Sequence, residues 1–406
     1  MIRINRLLCF LVLLTFLGGC SIFRGNRADK TPDEGDPAPL VEFTPEIKVE
    51  RVWSKTIGKG LGRKYVEITP AIIADRIFVG DAYGLVLALD RLTGDVIWRT
   101  EVGNPDRRNW LDLSNRSDPS FVSGGVGVGA GKVFIGTVRG ELIALNVDDG
   151  SEIWRETLSS EILAPAVGAS DVVVVQTADG KMYALESESG ATRWTFKTQD
   201  PVVSLRGTAS PVLSDGLAYA GFANGSLAAV DLDSGFPVWE HRLPIPEGTS
   251  ELERINDVDG RPLVLGQVVF AANHQGTIQA RRRNDGFMLW EKPDPSFHAL
   301  AEGLDLVFVV TDNDVVVAAQ QESGNEAWKQ EAFQNRVLTD PLAFHNYIVV
   351  GDDKGYLHVI AQSDGRLLGR YDIGSSIRSP MVEEDGVFYA LSNKGKLEAL
   401  RISRIE

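Results

Sequence analysis

Short apolar runs separated by clusters of glycine and small polar residues repeat along most of the chain. The first copy reads as an apolar run at 77–80, a turn at 81–84, a second run at 85–90, another turn, and a third run at 95–100. Such runs, broken by Gly, Asp, Asn and Thr, are typical of antiparallel strands joined by tight turns. A further short strand precedes each copy, so the pattern predicts a unit of four strands. No helical period occurs between residues 46 and 406.

One tryptophan and two glycines mark each copy at fixed spacing. The tryptophan stands four residues after a glycine, and a second glycine, replaced once by Asp314, stands ten residues before the first. The tryptophans are Trp98, Trp154, Trp194, Trp239, Trp290 and Trp328. A seventh copy keeps the spacing but has Gly369 instead of tryptophan. A period of about 40–50 residues is the signature of a propeller or solenoid. We expect each indole to dock on the next blade.

An eighth copy is split between the two ends of the chain. It begins at 388–391, turns at Gly395 and stops after Ile402, without a tryptophan strand. Residues 49–58, which include Trp53, have the character of that missing strand. Pairing this N-terminal strand with the last three C-terminal strands closes a ring and leaves no open sheet edge. We therefore predict an all-β fold, an eight-bladed β-propeller of four-stranded antiparallel blades, over residues 46–406.

The first 45 residues have a different character. Arg3 and Arg6 precede an apolar run at 7–17, which is too short to span a bilayer but has the length of a signal-peptide core. Residues 1–19 are therefore predicted to be a signal peptide. Residues 20–45 contain four prolines among acidic residues and glycine, which predicts a disordered tether.

The sequence Leu-Gly-Gly-Cys that ends at Cys20 resembles the lipobox of bacterial lipoproteins. This resemblance implies cleavage before Cys20, lipidation of that cysteine, and a stable membrane anchor, because several acyl chains share one residue. Ser21, which is not aspartate, implies sorting to the outer membrane of a Gram-negative bacterium, with the protein on its periplasmic face. The alternative is an ordinary signal peptide followed by a chance cysteine.

Charge and cysteine content exclude several classes of function. The formal net charge is −15, and it becomes −17 when the signal peptide leaves with Arg3 and Arg6. This balance disfavours binding to nucleic acid or to an anionic lipid surface. Cys9 and Cys20 are the only cysteines, so the mature domain has no disulfide and no thiol chemistry.

Candidate catalytic and metal motifs do not combine into a site. The five histidines fall in different units without metal-ligand spacing. The glycine-rich run at 124–131 lacks the Lys-Ser/Thr end of a phosphate loop and is predicted to be the inner strand of a blade. The acidic turns at 231–235 and 312–314 lack the later glutamate of an EF-hand. We therefore predict no catalytic residue, no metal and no cofactor, and a protein that is not an enzyme.

Two connections between blades are unusually long. The spacing from one tryptophan to the next is 40 residues after Trp154, but 45 after Trp194 and 51 after Trp239. The extra residues fall in the loops 197–208 and 241–262, which leave successive blades on one face and should be neighbours. Long loops on a rigid scaffold carry function. Aliphatic residues and arginine among acids are typical of a protein-interaction hot spot. An ion pair that only orders the two loops would have the same composition.

The motifs Ser-Leu-Arg-Gly at 204–207 and Asp-Val-Asp at 257–259, in consecutive blades of a lipobox-bearing propeller, resemble the BamB family. The resemblance covers essentially the whole mature chain. It implies a scaffold subunit of the BAM complex that binds the periplasmic POTRA domains of BamA and assists the folding and insertion of β-barrel outer-membrane proteins. Unfolded precursors of those proteins are a further implied partner. The contact residues that it implies are Val203, Leu205, Arg206, Asp257 and Asp259. Val203 stands where the family has leucine.

Two other functions fit the repeats. The Gly-x-x-x-Trp motif also resembles that of quinoprotein (PQQ-type) dehydrogenases. Such enzymes need calcium ligands and often have a vicinal cysteine pair over the cofactor, and the mature chain has no such pair. A generic envelope-tethered binding propeller is the third reading.

Overall fold

Thirty-two β-strands and no helix make up the residues that the structure describes. The computed structural model describes residues 36–63, 66–103, 120–199, 208–244, 250 and 255–405. The predicted signal peptide and Cys20 lie outside them. The chain from Ala38 onwards belongs to one unit. Nothing in these ranges forms a helix long and apolar enough to cross a membrane.

The strands form blades of four, and each blade is an antiparallel meander from an inner to an outer strand. A parallel bridge between Val128 and Val167 joins the inner strands of two neighbouring blades into one sheet of eight strands. Blade 1 contains β2 (Ala71–Ile73), β3 (Arg76–Gly80), β4 (Leu85–Asp90) and β5 (Val96–Glu101). Blade 2 contains β6 (Val122–Gly129), β7 (Lys132–Thr137), β8 (Glu141–Asn146) and β9 (Glu152–Thr157). Blade 3 contains β10 (Val167–Ala169), β11 (Val172–Thr177), β12 (Lys181–Glu186) and β13 (Thr192–Lys197). Blade 4 contains β14 (Val212–Ser214), β15 (Leu217–Gly221), β16 (Ser226–Asp231) and β17 (Pro237–Arg242).

The second half of the chain repeats this plan. Blade 5 contains β18 (Leu263–Leu265), β19 (Val268–Ala272), β20 (Ile278–Arg282) and β21 (Met288–Lys292). Blade 6 contains β22 (Ala301–Gly303), β23 (Leu306–Val310), β24 (Val316–Gln320) and β25 (Glu326–Gln330). Blade 7 contains β26 (Leu342–Phe344), β27 (Tyr347–Gly351), β28 (Tyr356–Ala361) and β29 (Leu367–Asp372). Blade 8 contains β30 (Val382–Glu384), β31 (Val387–Leu391), β32 (Lys396–Arg404) and β1 (Ile47–Thr56). The all-β class and the four-stranded antiparallel sheets are confirmed.

Blade 8 combines the two ends of the chain. β1 pairs with β32 in antiparallel register from Ile47 opposite Arg404 to Thr56 opposite Lys396. β1 is thus the outer strand of the blade, as ring closure requires. The glycine-rich run is β6, an inner strand, as predicted. A Cβ at Gly127 would collide with the carbonyl of Ala166, which shows why this strand needs small residues.

Tryptophan docking between blades is confirmed. Seven tryptophans each donate the indole N–H to a backbone carbonyl of the next blade over 2.8–3.0 Å. That carbonyl lies in the turn between the third and fourth strands of the receiving blade. The pairs are Trp53–Arg91, Trp98–Val147, Trp154–Ser187, Trp194–Leu232, Trp239–Arg283, Trp290–Gln321 and Trp328–Gln362. The turn glycine receives the ring. At Gly150 (φ +71°), a Cβ would lie 2.5 Å from Cε3 of Trp98. Tryptophan and turn glycine are therefore two halves of one contact across each of these interfaces.

The interface between blades 7 and 8 lacks this contact, and the structure explains Gly369. In blade 8 the two chain ends replace the turn between the third and fourth strands, so an indole from blade 7 would have no turn to dock on. Ile47, at the start of β1, is buried and fills this space instead. A Cβ at Gly369 would collide with Cδ1 of Ile47. The missing tryptophan is therefore a consequence of ring closure.

A strap, residues 38–46, leads into β1 across blade 7. The Ala38 N–H donates to the Gln334 carbonyl, and Arg336 donates to the Ala38 carbonyl over 2.7 Å. Farther along, Arg370 donates to the Val41 carbonyl over 2.9 Å, and its guanidinium stacks on Phe43. The composition of residues 38–45 predicts that they belong to the disordered tether, but these hydrogen bonds join them to the sheets.

The strap lies on a buried charged network in blade 7. Arg336 pairs with Asp352 over 2.6 Å, and His358 contacts the same carboxylate oxygen over 3.0 Å. All three side chains are buried. Burial opposes ionisation of Asp352, but its hydrogen bonds with His358, the Tyr356 N–H and Arg336 lower its pKa on balance. The strap is thus anchored on an arginine that neutralises a buried carboxylate.

Candidate functional site

The two faces of the ring carry different connections. The connections from each outer strand to the next inner strand lie on one side, called here the loop face. The turns between third and fourth strands lie on the other side, the turn face, because the strands alternate in direction. Both long loops belong to the loop face. Val203, Leu205 and Arg206 lie outside the described residues, whereas Asp257 and Asp259 are described.

The segment 255–260 is fixed between blades 4 and 5. Val258 is fully buried, and its N–H donates to the Phe222 carbonyl. The side chain of Asn256 donates to the Leu243 carbonyl over 3.0 Å. The backbone of Asp257 accepts from the His274 N–H over 2.9 Å. These bonds fix the backbone on both sides of the Asp-Val-Asp motif.

The two aspartates of the motif have different environments. Asp257 is fully buried, and Asp259 is partly exposed. The Oδ1 atom of Asp259 has no hydrogen-bond partner in the part of the chain that the structure describes. Burial, followed by the charges of Asp257 and Glu67, raises the pKa of Asp259 well above its usual range.

Glu67 belongs to a set of charged residues at the axis on the loop face. Glu67, Asp259, His298, Asp340 and Arg378 each come shortly before an inner strand, in the connections to blades 1, 5, 6, 7 and 8. Inner strands surround the axis of a propeller, so residues just before them line its opening. Blades 1 and 5 stand opposite each other in a ring of eight, yet the charge of Glu67 acts on Asp259. We call Glu67, Asp257, Asp259, His298 and Asp340 the axial cluster.

Mutual repulsion and burial shift the protonation of this cluster. Burial, and then the charge of Asp340, raise the pKa of Glu67 to about 7, against the opposing effects of His298 and Arg378. Burial alone would lower the pKa of His298, but its 3.0 Å hydrogen bond to Asp340 and that residue's charge raise it on balance. Burial and repulsion between these acids therefore favour the protonated forms of Glu67 and Asp259.

A cationic partner group would stabilise the ionised forms of these acids, which burial and mutual repulsion disfavour in the free chain. Among the described residues, no three His, Cys, Asp or Glu side chains are placed to hold a metal ion. Asp257 and Asp259 lie on a backbone segment that hydrogen bonds hold in place, so their positions are already organised before a partner arrives.

Sequence reasoning found Asp257 and Asp259 but missed Glu67, His298 and Asp340. One signal was available: several polar residues stand one to three positions before the proline that leads into an inner strand, as in Glu67-Ile-Thr-Pro70 and Asp340-Pro341. This spacing would have grouped residues from distant parts of the sequence at one end of the axis.

Comparison with known proteins gives a consistent result. A family model described as outer membrane protein assembly factor BamB matches residues 107–330 and 312–404. Among curated relatives, the protein of that name from Pseudomonas aeruginosa is 36% identical over 393 residues, which cover 97% of each chain. The one from Yersinia pestis is 32% identical and covers 93% of this chain and 94% of its own.

Solved structures agree with the sequence relatives. The crystal structure of BamB from Moraxella catarrhalis matches with a TM-score of 0.77 and 27% identity, over 87% of this chain and all of that one. A quinohemoprotein alcohol dehydrogenase from Pseudomonas putida matches with a TM-score of 0.68 over 88% of this chain and 77% of its own, but at 15% identity. The second likeness shows a shared fold alone.

Proposed function

Because this chain belongs to the family of the outer membrane protein assembly factor BamB, we propose that it binds the periplasmic POTRA domains of BamA through its loop face. The chain is an outer-membrane protein assembly factor, associated with the outer membrane and with the BAM complex. The proposal concerns which surface acts and which component it contacts.

The observation that carries this proposal is the fixed Asp-Val-Asp segment beside the axial opening. Val258 and Asn256 hold its backbone in place, so Asp259 is presented without the loss of chain entropy that a mobile loop would suffer on binding. Glu67 of the axial cluster is close enough for its charge to act on Asp259. A basic or hydrogen-bond-donating surface of a partner would complement this region.

The five residues implied by the family resemblance have different parts in this proposal. Asp259 is partly exposed and faces the partner. Asp257 is fully buried, so it acts by holding the segment in position. Val203 and Leu205 supply apolar contact, and Arg206 supplies a charged one.

We also propose that residues 1–19 are removed and that lipidated Cys20 anchors the protein to the periplasmic face of the outer membrane. Ala38, where the described unit begins, contacts Gln334 on the loop face. The first residue of that unit therefore lies on the same face as the proposed contact. A mass measurement of the mature N-terminal peptide tests this: a diacyl or triacyl adduct on Cys20 is expected, and an unmodified cysteine would contradict it.

The proposed role is that of a scaffold without enzymatic activity. Incubation with pyrroloquinoline quinone, calcium and alcohols, with a redox dye as reporter, should give no reduction above a protein-free blank. Dye reduction that depends on the protein would favour the dehydrogenase reading instead.

The contact surface is tested by a detergent pull-down from envelope membranes with the full chain, tagged at its C-terminus. Asp259→Arg and Arg206→Glu are compared with wild type and with the control Asp233→Arg. Asp233 is an exposed residue in a turn on the turn face, so its variant makes the same charge change away from the loop face. We expect wild type and the control to recover BamA, and the two loop variants to recover at least tenfold less.

Two results would contradict the proposal in different ways. Equal recovery by all four proteins would mean that the surface is wrong. Recovery by none, with normal melting temperatures and normal acylation, would mean that the partner is wrong.

A further inference from the structure

A series of side-chain contacts in blade 7 leads from the buried charged network to the strap. His358 uses both of its ring nitrogens: Nε2 lies 3.0 Å from Oδ2 of Asp352, and Nδ1 accepts from Nε of Arg370 over 3.5 Å. Arg370 in turn donates from Nη2 to the Val41 carbonyl over 2.9 Å and stacks on Phe43. The imidazole therefore stands between a buried carboxylate and the arginine that holds the middle of the strap.

These contacts determine which ring nitrogen carries the proton. A guanidinium group only donates hydrogen bonds, so the Nδ1 atom that receives Arg370 must be an acceptor. The single proton of the neutral imidazole is then on Nε2, from which it is donated to Asp352. A second proton would have to bind Nδ1, where it would face the N–H group of Arg370. The neutral ring of His358 thus supports the contact with Arg370, and the doubly protonated ring opposes it.

The surroundings of His358 also oppose a second positive charge. Among the described residues, the charged and titratable side chains that face the ring are Asp352, Arg336, Arg370 and Tyr356. Protonation would give the single carboxylate of Asp352 three neighbouring cations. Burial is the largest cause that lowers the pKa of His358, and the charges of Arg370 and Arg336 add to it, against the effect of Asp352. An added proton must therefore be accompanied by the movement of a neighbouring cation.

Only the blade that the strap crosses has histidine at this register. The position is the one before the residue that pairs with the tryptophan, or with Gly369 in blade 7. In the other blades it is occupied by Leu87, Ile143, Tyr183, Ala228, Gln279, Val317 and Glu398. The turn aspartate recurs, because Asp81 of blade 1 accepts from the N–H groups two and four residues later, as Asp352 does. His358 is thus a departure from the repeat that coincides with the strap.

We propose that His358 is a proton-dependent latch for the strap: a second proton on its ring displaces Arg370 and frees the strap around Val41 and Phe43. Arg370 is the cation that moves, because its side chain is half-buried and can turn into water. Arg336, the other neighbouring cation, is buried and stays with the carboxylate that it neutralises. The blades themselves stay assembled when the latch opens.

Opening the latch changes the surface of blade 7. Ala38 remains attached to Gln334 and Arg336, and Glu46 remains attached to Leu368, so the residues between them are released as an arch. The loop face of blade 7 then presents a mobile segment in place of a fixed one. The latch does not depend on the proposed contact with BamA, since all of its parts belong to blade 7 and the strap.

Cleavage by the glutamate-specific protease Glu-C between Glu42 and Phe43 tests the latch. A protease takes several residues into its active site in extended form, so this bond is cut only when the contacts on both sides of it are broken. The full-length chain in detergent is digested at pH 7.5 and at pH 4.5. Each rate is divided by that of a synthetic peptide of residues 36–46 at the same pH, which removes the protease's own dependence on pH. We expect this ratio to be at least fivefold higher at pH 4.5.

Three variants locate the effect. His358→Gln keeps a donor for Asp352 and an acceptor for Arg370 but cannot take up a proton, so its ratio should change less than twofold with pH. Arg370→Ala removes the contact itself, so its ratio at pH 7.5 should already be at least fivefold above that of wild type. Arg366→Ala is the matched control, since it removes an arginine that contacts the strap at Glu46 and not at the latch. It should keep the pH response of wild type.

Three results would overturn the proposal. A wild-type ratio that is the same at both pH values, or that changes equally in His358→Gln, would exclude His358 as the trigger. A ratio for Arg370→Ala as low as that of wild type at pH 7.5 would show that Arg370 does not hold the strap. Cleavage throughout the ring at pH 4.5, detected by mass spectrometry, would mean that acid unfolds the blades instead of opening the strap.

Discussion

Seven interfaces between neighbouring blades are held by an indole in the described ring, whereas the interface between blades 7 and 8 is held by Ile47 and the strap. The indoles act across a turn that every receiving blade supplies from its own sequence. Blade 8 has no such turn, because its third and fourth strands, β32 and β1, are not consecutive in the sequence. The comparison shows that a blade carries the tryptophan only where the next blade supplies a turn for it to dock on. Blade 7, which is followed by the closing blade, therefore has Gly369 at this position.

The strongest way to break a tryptophan-docked interface is Trp194→Ala. Trp194 is buried and donates to the Leu232 carbonyl over 2.8 Å, so its removal leaves a large cavity between blades 3 and 4. We expect the free energy of unfolding to fall by about 3–5 kcal/mol, measured by urea denaturation. Trp194→Phe, which keeps a ring, should cost less. A midpoint unchanged by Trp194→Ala would show that the indole does not hold the interface.

The equivalent test of the closure region is Arg336→Ala. This change removes the buried cation that pairs with Asp352, whose remaining partners are His358 and two backbone N–H groups, and it releases the carbonyl of Ala38, so we expect a loss of about 3 kcal/mol. Faster proteolysis within residues 38–46 should accompany it. Arg366→Ala is the control: its pair with Glu46 is half exposed and screened by solvent, so its loss should destabilise the ring much less than the loss of Arg336. Equal losses for both variants would mean that the buried network does not anchor the strap.

The variant Gly369→Ala tests whether Ile47 fills the space of the missing tryptophan at the interface between blades 7 and 8. The new methyl group would collide with Ile47, so we expect a loss of about 1–3 kcal/mol, again by urea denaturation. Combining it with Ile47→Val should cost less than the sum of the two single changes, because the shorter side chain relieves the collision. Additive losses would show that Ile47 does not fill the place of the indole.

The smallest expected difference concerns pH. Burial lowers the pKa of His358 below its usual 6.5, despite Asp352. Folding therefore favours the neutral ring, so its contribution to stability is present above pH 6.5 and is lost as pH falls towards the lower folded pKa. Wild type should lose more stability between pH 7 and 5 than His358→Gln, measured by thermal unfolding. Parallel pH profiles would exclude this contribution. Trp194→Ala should leave the slope unchanged, since no titratable group takes part in that contact.

The repeat could be deduced from the sequence because each of its signals is local. Trp194 and its turn glycine recur at fixed spacing, and residues 49–58 match the strand that the last blade lacks. The end of the tether could not be placed in this way. The prolines near residues 37–45 indicate disorder, and the arginines that hold this segment, Arg336 and Arg370, lie about three hundred residues away.

The candidate site was predictable only in part for the same reason. Asp257 and Asp259 stand in a recognisable motif, but the burial of Asp257 depends on packing between two blades. Glu67 and Asp340 come together because the ring brings distant connections to one axis.

The pairing of β1 with β32 also sets an order of events in folding. β1 is synthesised long before its partner strand, because Arg51 and Glu398 stand 347 positions apart in the sequence. Closing so long a loop costs chain entropy that no local contact repays, so the final blade forms late. Until then the outer edge of β32 is unpaired, and Gly94 of blade 1 lacks its contact with the indole of Trp53. A chain interrupted before Lys396, where β32 begins, would have seven complete blades and a ring that cannot close.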